Sequence, residues 1–173
     1  RVEDLHTSFD MPFGEVKAVS GVSFTLDHGR TLGIVGESGS GKTVLVRSIM
    51  RLNLGSNVTT TGTVEFNGRE LRGIPIRQMQ DLWGPELAMV FQDPMTSLNP
   101  LVRVSRQVTE HLHRHLGVSR DQARQTALEL MREVRIPEPE PRLRAFPHEL
   151  SGGMRQRVCI AIALACEPTL LFA

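Results

Sequence analysis

Alternating apolar and polar positions near the start of the chain predict an antiparallel β-sheet. In 22–26, for example, the order Val-Ser-Phe-Thr-Leu places every second side chain on one face. Asp27–Arg30 is typical of a turn, and the run 61–68 ends in Asn-Gly, a pair that favours hairpin turns. Shorter, continuous apolar runs predict further strands. The predicted strands are 1–9, 16–27, 31–35, 61–68, 87–91 and 169–173.

Helical periodicity occurs between the predicted strands and is most extensive after residue 104. The predicted helices are 42–53, 76–83, 104–134 with a break at 117–119, and 151–166, with Ser119 and Ser151 as N-caps. Four prolines within 136–148 predict a linker there. This order predicts an α/β fold, a core with an antiparallel β edge and a helical subdomain. We expect the core in 1–93, the helical subdomain in 94–150 and a return to the core in 151–173.

A glycine-rich segment, Gly-Glu-Ser-Gly-Ser-Gly-Lys-Thr at 36–43, lies between a predicted strand and a predicted helix. Its glycines let backbone N–H groups approach an anion, and the helix N-terminus adds a positive dipole. A lysine about 4 Å from a phosphate charge contributes on the order of 4 kcal/mol before desolvation. The alternative is a flexible turn; the glycine spacing does not fit a dinucleotide fingerprint. The predicted nucleotide contacts are Gly36, Glu37, Ser38, Gly39, Ser40, Gly41, Lys42, Thr43 and Val44.

A second glycine turn, Leu-Ser-Gly-Gly-Met-Arg-Gln-Arg at 150–157, opens the last predicted helix. A serine hydroxyl, free backbone N–H groups and a helix dipole make it another possible anion cradle. One triphosphate rarely needs two cradles in one chain. We therefore expect this one to contact the γ-phosphate bound by a neighbouring subunit, the alternative being an ordinary capped helix.

With these motifs in this order, nearly the whole chain resembles the ATP-binding subunits of ABC transporters. The segment 36–43 resembles the Walker A loop, Gln92 the Q-loop glutamine and 150–156 the LSGGQ-type signature. Phe13 stands where the family places an aromatic ring that stacks on adenine; the alternative is an ordinary surface or core phenylalanine. The segments 91–100 and 147–157 are similar to the branch that imports dipeptides, oligopeptides and nickel.

The resemblance implies an ATPase with ATP and Mg²⁺ as cofactors, Thr43 and Gln92 approaching the metal. It implies catalytic roles for Lys42 and Gln92, and for Ser151 and Gly153 acting on the partner's nucleotide, with Gly152 beside them. The implied partners are a second ATP-binding subunit and transmembrane permease subunits, at the cytoplasmic face of the inner or plasma membrane. The implied cargo is a peptide.

Other functions remain open at this level. A non-transport ABC protein acting as a nucleotide-gated switch, in translation or DNA repair, is one alternative. Such proteins carry tandem cassettes or long coiled coils, and neither pattern is present in this sequence. A P-loop kinase is disfavoured by the signature sequence. The Walker B aspartate and the catalytic glutamate of the family would follow Ala173, so we expect the chain to bind ATP and to hydrolyse it weakly.

Charge and composition narrow the partners. The formal net charge is +1, which gives no electrostatic case for nucleic acid or an anionic membrane as the main partner. The longest apolar run, 158–166, is too short to span a bilayer. Cys159 and Cys166 are predicted to be buried free thiols on one helix.

Three further interpretations concern the helical region. His111 and His115 have i, i+4 spacing, which suits a metal, but without a third ligand we expect a solvated helix face. The arginines and glutamates in 120–133 are expected to form i, i+4 pairs on a solvated helix. In the loop 93–100, Met95 and Leu98 are expected to be exposed and to contact a permease helix; the alternative is that both pack inside the helical subdomain.

Overall fold

The computed structural model describes residues 1–91, 93 and 97–173, which fall into two compact units, Arg1–Met79 and Gln80–Ala173. The described elements, in chain order, are β1 (Val2–Met11), β2 (Gly14–Phe24), α1 (Lys42–Ile49), β3 (Val58–Phe66), β4 (Arg69–Glu70), α2 (Ile76–Leu82), β5 (Leu87–Met89), α3 (Val104–His111), a π-helical turn (Leu112–Leu116), α4 (Arg120–Glu133), α5 (Pro139–Arg144), a 3₁₀ turn (Pro147–Glu149), α6 (Gly152–Leu164) and β6 (Leu170–Phe172).

The first unit contains a four-stranded antiparallel sheet in the order β2-β1-β3-β4. The β1–β2 hairpin turns at Pro12 and Phe13, and β3 joins β4 through Asn67 and Gly68. Both residues of the second turn have positive φ, 50° and 77°, as a two-residue hairpin turn of the primed type requires. The Asn-Gly turn predicted from the sequence is therefore confirmed.

The core of the first unit lies between the sheet and α1. Leu5 and Val64 point from neighbouring strands into it, and Leu45 and Ile49 come from one side of the helix. Their burial follows from period-2 spacing in the strands and i, i+4 spacing in the helix. The packing fixes α1, and with it the glycine-rich segment that precedes α1.

The strand predicted at 31–35 is wrong for this structure. These residues have no regular secondary structure and are all exposed; Val35 is 97% exposed. Within the described residues, no strand of the first unit's sheet pairs with them. Because a strand needs a neighbour for its backbone N–H and C=O groups, the apolar run alone cannot form one.

Helix α1 is shorter than the predicted 42–53. It ends at Ile49, and Arg51 takes a left-handed conformation with φ 54°. The Arg51 guanidinium donates to the carbonyl oxygens of Leu71 and Ile74. These contacts with a distant segment hold the chain out of the helical path, which local periodicity could not predict.

The second unit is mainly helical. Val108, Leu112, Ala127, Met131 and Val158 are fully or almost fully buried and belong to one apolar cluster formed by α3, α4, α5 and α6. Beside it, β5 and β6 pair in parallel, with Leu87 opposite Leu170. Helices α3 to α6 all lie in the chain between β5 and β6. The helical part of the second unit is therefore an insertion between two parallel strands.

Side-chain caps set the start of two helices. Ser119 accepts a hydrogen bond from the Gln122 backbone N–H, and the Gln122 side chain accepts one from the Ser119 backbone N–H. Ser151 accepts a hydrogen bond from the Met154 backbone N–H at 3.3 Å. Both caps were predicted and both are confirmed.

The predicted linker at 136–148 is wrong in part, because it contains α5 and the first two residues of the 3₁₀ turn. Pro139 stands at the first position of α5, where a missing N–H costs nothing. Glu138 precedes it with a left-handed φ of 51°, and Leu143 is buried in the helical cluster. The prolines therefore start these elements and do not prevent them.

Two expectations about exposed side chains are also corrected. Leu98 is 3% exposed and belongs to the apolar cluster of the helices, so it is not an exposed contact for a permease. In α4, Arg132 pairs with Glu140 of α5, and Glu129 accepts a hydrogen bond from Gln125. Within the described α4, the expected i, i+4 arginine–glutamate pairs are not formed, and Arg132 pairs with α5 instead. Met95, the other residue expected to be exposed, lies outside the described residues.

Candidate functional site

The segment 36–43 forms a tight loop that ends where α1 begins. Gly41 is the N-cap of α1 and has φ 86°. A Cβ at Gly41 would lie 2.1 Å from the backbone oxygen of Ala18 in β2. Both the left-handed backbone and the close approach to β2 require glycine here. The loop is thereby held against the sheet, and its backbone N–H groups precede the positive end of a helix.

The Lys42 ammonium folds back over this loop. Its Nζ donates to the backbone oxygens of Gly36 at 2.8 Å and Glu37 at 2.6 Å, and to the Ser40 hydroxyl at 3.2 Å. An ammonium has three protons, and these three bonds use all of them. A positive charge is therefore held inside the loop, as a cradle for phosphate groups requires.

Thr43, the second residue of α1, carries an exposed hydroxyl that no described residue engages in a hydrogen bond. A hydroxyl at this place, next to a lysine ammonium, suits Mg²⁺, which accepts oxygen ligands from protein and phosphate together. The loop and Thr43 therefore fit a bound magnesium nucleotide.

A buried network of polar side chains holds α1 against β1, and this network was not predicted from the sequence. Ser48 donates to the Val44 backbone oxygen at 2.7 Å and accepts from the Asn53 amide at 2.8 Å. Thr7 of β1 lies 2.7 Å from the Ser48 hydroxyl, and since the Ser48 proton is already used, Thr7 is the donor. Thr7 and Ser48 are the two buried polar side chains of the described core. The only available signal was a serine on the apolar face of α1.

Phe13 lies at the tip of the β1–β2 hairpin and is 78% exposed. It precedes β2, whose Ala18 backbone touches Gly41, so one strand connects this ring to the phosphate loop. An exposed phenylalanine is available for stacking on a base. Its contact with adenine stays a prediction.

The signature segment belongs to the second unit and opens α6. Ser151, Gly152 and Gly153 are exposed, and nothing lies within 4 Å of a Cβ placed on either glycine. The first N–H groups of a helix have no partner within the helix, so this end can accept an external anion. The segment therefore presents an open, positively polarised surface.

Arg155 holds the approach to this segment, a role that was not predicted. Its guanidinium donates to the backbone oxygens of Pro147 at 2.8 Å and Leu150 at 3.0 Å. Arg157 donates to the Arg135 oxygen at 2.6 Å. The Arg155 bonds tie α6 to the turn before it, and the Arg157 bond ties α6 to the segment that follows α4, so two separate segments hold the start of α6.

Three predictions remain outside what the structure tests. Gln92, the expected Q-loop residue, lies outside the described residues. The catalytic roles of Lys42, Ser151 and Gly153 stay predictions, and so does the division of the chain at residues 93 and 150.

Within the described residues, no group of three or more His, Cys, Asp or Glu side chains is placed to hold a metal ion, and no helix has the length and apolarity to cross a membrane.

Both thiols and two histidines, His111 and His115, are buried or half-buried in the second unit. Cys159 and Cys166 are free and buried, as predicted, and burial raises the pKa of both. His111 stacks on His115 with ring centroids 6.0 Å apart, and its Nδ1 is buried without a hydrogen-bond partner among the described residues. Burial lowers the pKa of both histidines. The expected solvated face is therefore wrong for His111.

The fold and the loop at 36–43 are those of the P-loop class of nucleotide-binding proteins. More narrowly, the chain belongs to the ABC transporter family, whose model matches residues 19–173. The predicted resemblance and the predicted fold class are confirmed by this match.

Three curated relatives show which branch of the ABC transporter family the chain is similar to. The chain is 50% identical to the oligopeptide transport ATP-binding protein OppD of Bacillus subtilis, over 99% of this chain and 48% of that protein. It is 48% identical to OppD of Salmonella typhimurium, over 99% of this chain and 51% of the relative. The dipeptide transport ATP-binding protein DppD of Lactococcus lactis is 47% identical, over 99% and 50%. The chain thus spans about half the length of the curated relatives it matches.

Two solved structures share the fold. One is a dimeric post-hydrolysis state of an ATP-binding cassette bound to ADP and Pi, with a TM-score of 0.86 and 25% identity. The match covers 98% of this chain and 71% of that one. The other, a dimeric bacterial ABC transporter cassette, has a TM-score of 0.85 at 24% identity and supports the fold alone.

Proposed function

We propose that this chain is the nucleotide-binding part of an ATP-driven peptide importer, which binds MgATP at 36–43 and pairs with a second ATP-binding subunit. The observation that carries the proposal is the Lys42 ammonium, held inside the loop by three oxygen atoms at the start of α1. The names of the relatives, which are oligopeptide and dipeptide transport proteins, support the cargo class.

At the loop, binding is an exchange of hydrogen bonds. The longest Lys42 contact, 3.2 Å to the Ser40 hydroxyl, is the weakest of the three, so we expect a phosphate oxygen to replace it. The bonds to Gly36 and Glu37 then hold the ammonium in place while it neutralises the phosphate. Because the ammonium is already oriented, little side-chain entropy is lost on binding.

A bound Mg²⁺ would neutralise the phosphate charge, with Thr43 as its protein hydroxyl ligand and Gln92 beside it. The contribution of this chain is orientation: the glycine contact with β2 fixes the start of α1, and the Thr7–Ser48 bond fixes its second turn. Thr43 therefore meets the metal from a rigid element, which favours a defined geometry.

The signature segment completes the site of the partner subunit in this proposal. Ser151 and the N–H groups of Gly152 and Gly153 would contact the γ-phosphate that the partner's loop holds. The open space above both glycines is the supporting observation, because it admits a second surface without a clash. The dimeric state of the structural neighbour bound to ADP and Pi agrees with this arrangement.

For the whole protein, we infer an association with permease subunits at the cytoplasmic face of the membrane, where importers of this family work. The surface that contacts the permease is not assigned to particular residues, since Leu98 is buried. A test of the association is whether the full-length protein co-purifies with membrane permease subunits and not with nucleic acid.

Isothermal titration with MgATP tests nucleotide binding. Lys42→Ala removes the ammonium from the loop and should weaken ATP binding by about tenfold or more, because a few kcal/mol of phosphate attraction are lost. Lys17→Ala is the matched control: it removes the other lysine of the chain, an exposed residue of β2. Equal ATP affinity for Lys42→Ala and Lys17→Ala would refute the proposed site.

A further inference from the structure

A groove of about 850 Å³ lies among α3, the π-helical turn, α4 and α5, within the helical part of the second unit. Neither the phosphate loop nor the signature segment takes part in it. Its most unusual feature is a concentration of guanidinium groups. The arginines that line the groove are Arg106, Arg114, Arg120, Arg124 and Arg144.

Helical spacing explains why these side chains meet. Arg106 and Arg114 are eight residues apart along α3 and the π-helical turn, on the face that also carries Glu110. Arg120 and Arg124 are i, i+4 neighbours on α4. Like charges at this spacing destabilise an isolated helix. The arrangement is therefore unfavourable for the helix alone and favourable for an anion between the helices.

The carboxylates nearby do not neutralise this cluster. Glu140 pairs with Arg132 at 2.6 Å, and Glu138 pairs with Arg142 at 3.3 Å; neither arginine lines the groove. In the part of the chain that the structure describes, none of the five groove arginines lies within ion-pair distance of a carboxylate. With Glu110 and Glu140 as its only acidic lining residues, the groove has a clear excess of positive charge.

Leu128 gives the same groove an apolar contact surface, because it is half-buried against the helical cluster. Ala127 and Leu143 lie beneath the groove and are buried. Arg120 is also the first residue of α4, where the helix dipole adds positive potential. A ligand that matches the groove therefore needs an anionic end for the arginines and an apolar part for Leu128.

We propose that this groove binds a phosphate ester that carries an apolar chain. A phosphate group presents several acceptor oxygens, and guanidinium groups bind such oxygens through paired N–H donors. A volume of about 850 Å³ is within the ordinary range for small-molecule sites and far exceeds what an inorganic ion needs. The site is independent of the nucleotide loop, since the two share no residue.

Titration calorimetry with hexyl phosphate is the direct test. Arg120→Glu with Arg124→Glu should weaken hexyl phosphate binding by about tenfold or more, because two charge-assisted contacts become repulsive. The matched control is Arg30→Glu with Arg77→Glu, which changes the net charge equally at two exposed arginines of the first unit. The control should keep the wild-type affinity.

Two further measurements exclude other causes of the loss of affinity. Arg120→Gln with Arg124→Gln, checked by circular dichroism, shows the loss of affinity without added negative charge. Methyl phosphate should bind more weakly than hexyl phosphate, because it leaves Leu128 uncovered. Equal weakening in the groove and control variants, or no hexyl phosphate binding at all, overturns the proposal. So does loss of hexyl phosphate binding in Lys42→Ala, which would place the probe on the phosphate loop.

Vesicles identify the source of the ligand. Co-sedimentation with phosphatidylglycerol vesicles but not phosphatidylcholine vesicles, lost in the groove variant and kept in the control, would assign a lipid headgroup. Hexyl phosphate binding without vesicle binding would assign a soluble ester. Vesicle binding that is equal in the groove and control variants, with no hexyl phosphate binding, contradicts the site.

Discussion

Polar side chains within the first unit act at two distances from the candidate nucleotide site. Lys42 is close to the place where a phosphate would bind, and its role follows from its chemistry and its position in the motif. Thr7 of β1 and Ser48 of α1 are buried, and the 2.7 Å hydrogen bond between their hydroxyls holds α1 against the sheet. The first kind of residue gives the loop its charge, and the second kind keeps the loop where the charge is useful.

Replacing Ser48 by alanine should lower the free energy of unfolding by about 1–3 kcal/mol, because Thr7 and Asn53 lose their common partner inside the protein. Urea denaturation measures this change. The double variant Thr7→Val with Ser48→Ala should cost less than the sum of the two single changes, since it also removes the Thr7 hydroxyl, which Ser48→Ala leaves with the longer, 3.3 Å contact to Thr60. Additive costs would show that the two hydroxyls do not cooperate.

Burial lowers the pKa of His111; the positive charge of Arg114 adds to this effect, and Glu110 opposes it. Below the ordinary histidine pKa of about 6.5, the unfolded chain therefore takes up the proton more readily than the folded one. We expect the stability from this group to be present above about pH 6.5 and to be lost as the pH falls through the lower, folded pKa.

The thermal unfolding midpoint of the wild-type chain should accordingly fall between about pH 8 and pH 5.5, and by less in His111→Gln. His28→Gln, at an exposed turn residue, serves as the control and should follow the wild-type curve. If the His111→Gln curve coincided with the wild-type curve, this histidine would not carry the dependence.

Among the elements, those fixed by local chemistry were predicted correctly. Ser119 and Ser151 start their helices as capping residues, and the turn at 67–68 follows from two residues alone. The errors are at 31–35 and at the end of α1, where contacts with distant segments decide the outcome, and at 136–148, where prolines start α5 and the 3₁₀ turn. The apolar run 31–35 forms no strand because no strand of the described sheet pairs with it. Arg51 departs from the helical conformation and donates to carbonyl groups near residue 71. Such pairings are invisible to a short window of sequence.

The burial of Leu98 changes how the segment before α3 should be tested. Leu98→Ala should lower the free energy of unfolding by about 2–5 kcal/mol, because it leaves a cavity among the packed helices. Leu101→Ala, at a leucine that is 85% exposed, should change it by about 0.5 kcal/mol or less. Chemical denaturation compares the two. Similar, small effects would mean that Leu98 does not contribute to the core.

At the scale of the whole molecule, the two candidate phosphate-binding segments lie in different units, the loop in Arg1–Met79 and the signature in Gln80–Ala173. A partner subunit is what the proposed function requires to bring such segments to one nucleotide. The open space at Gly153 makes this requirement testable, because a larger side chain fits there without strain inside the chain itself.

Gly153→Asp in the full-length protein should leave the ATP affinity of the monomer unchanged and prevent ATP-dependent dimerisation. The new carboxylate would face a phosphate, and like charges at short range repel by several kcal/mol at an effective dielectric near 20. Light scattering with MgATP measures the dimer. Gly153→Asn, which has the same shape without the charge, should dimerise better than Gly153→Asp; normal dimers of the aspartate variant would exclude this role for the signature.

The parallel pairing of β5 with β6 has a consequence for the time course of folding. Leu87 and Leu170 can pair only after the chain from 90 to 169 has been drawn together, and closing so long a loop is entropically costly. The β1–β2 hairpin needs no such closure, because its strands meet across the Pro12-Phe13 turn. Amide protons of β1 and β2 should therefore gain protection in pulsed hydrogen exchange before those of β5 and β6.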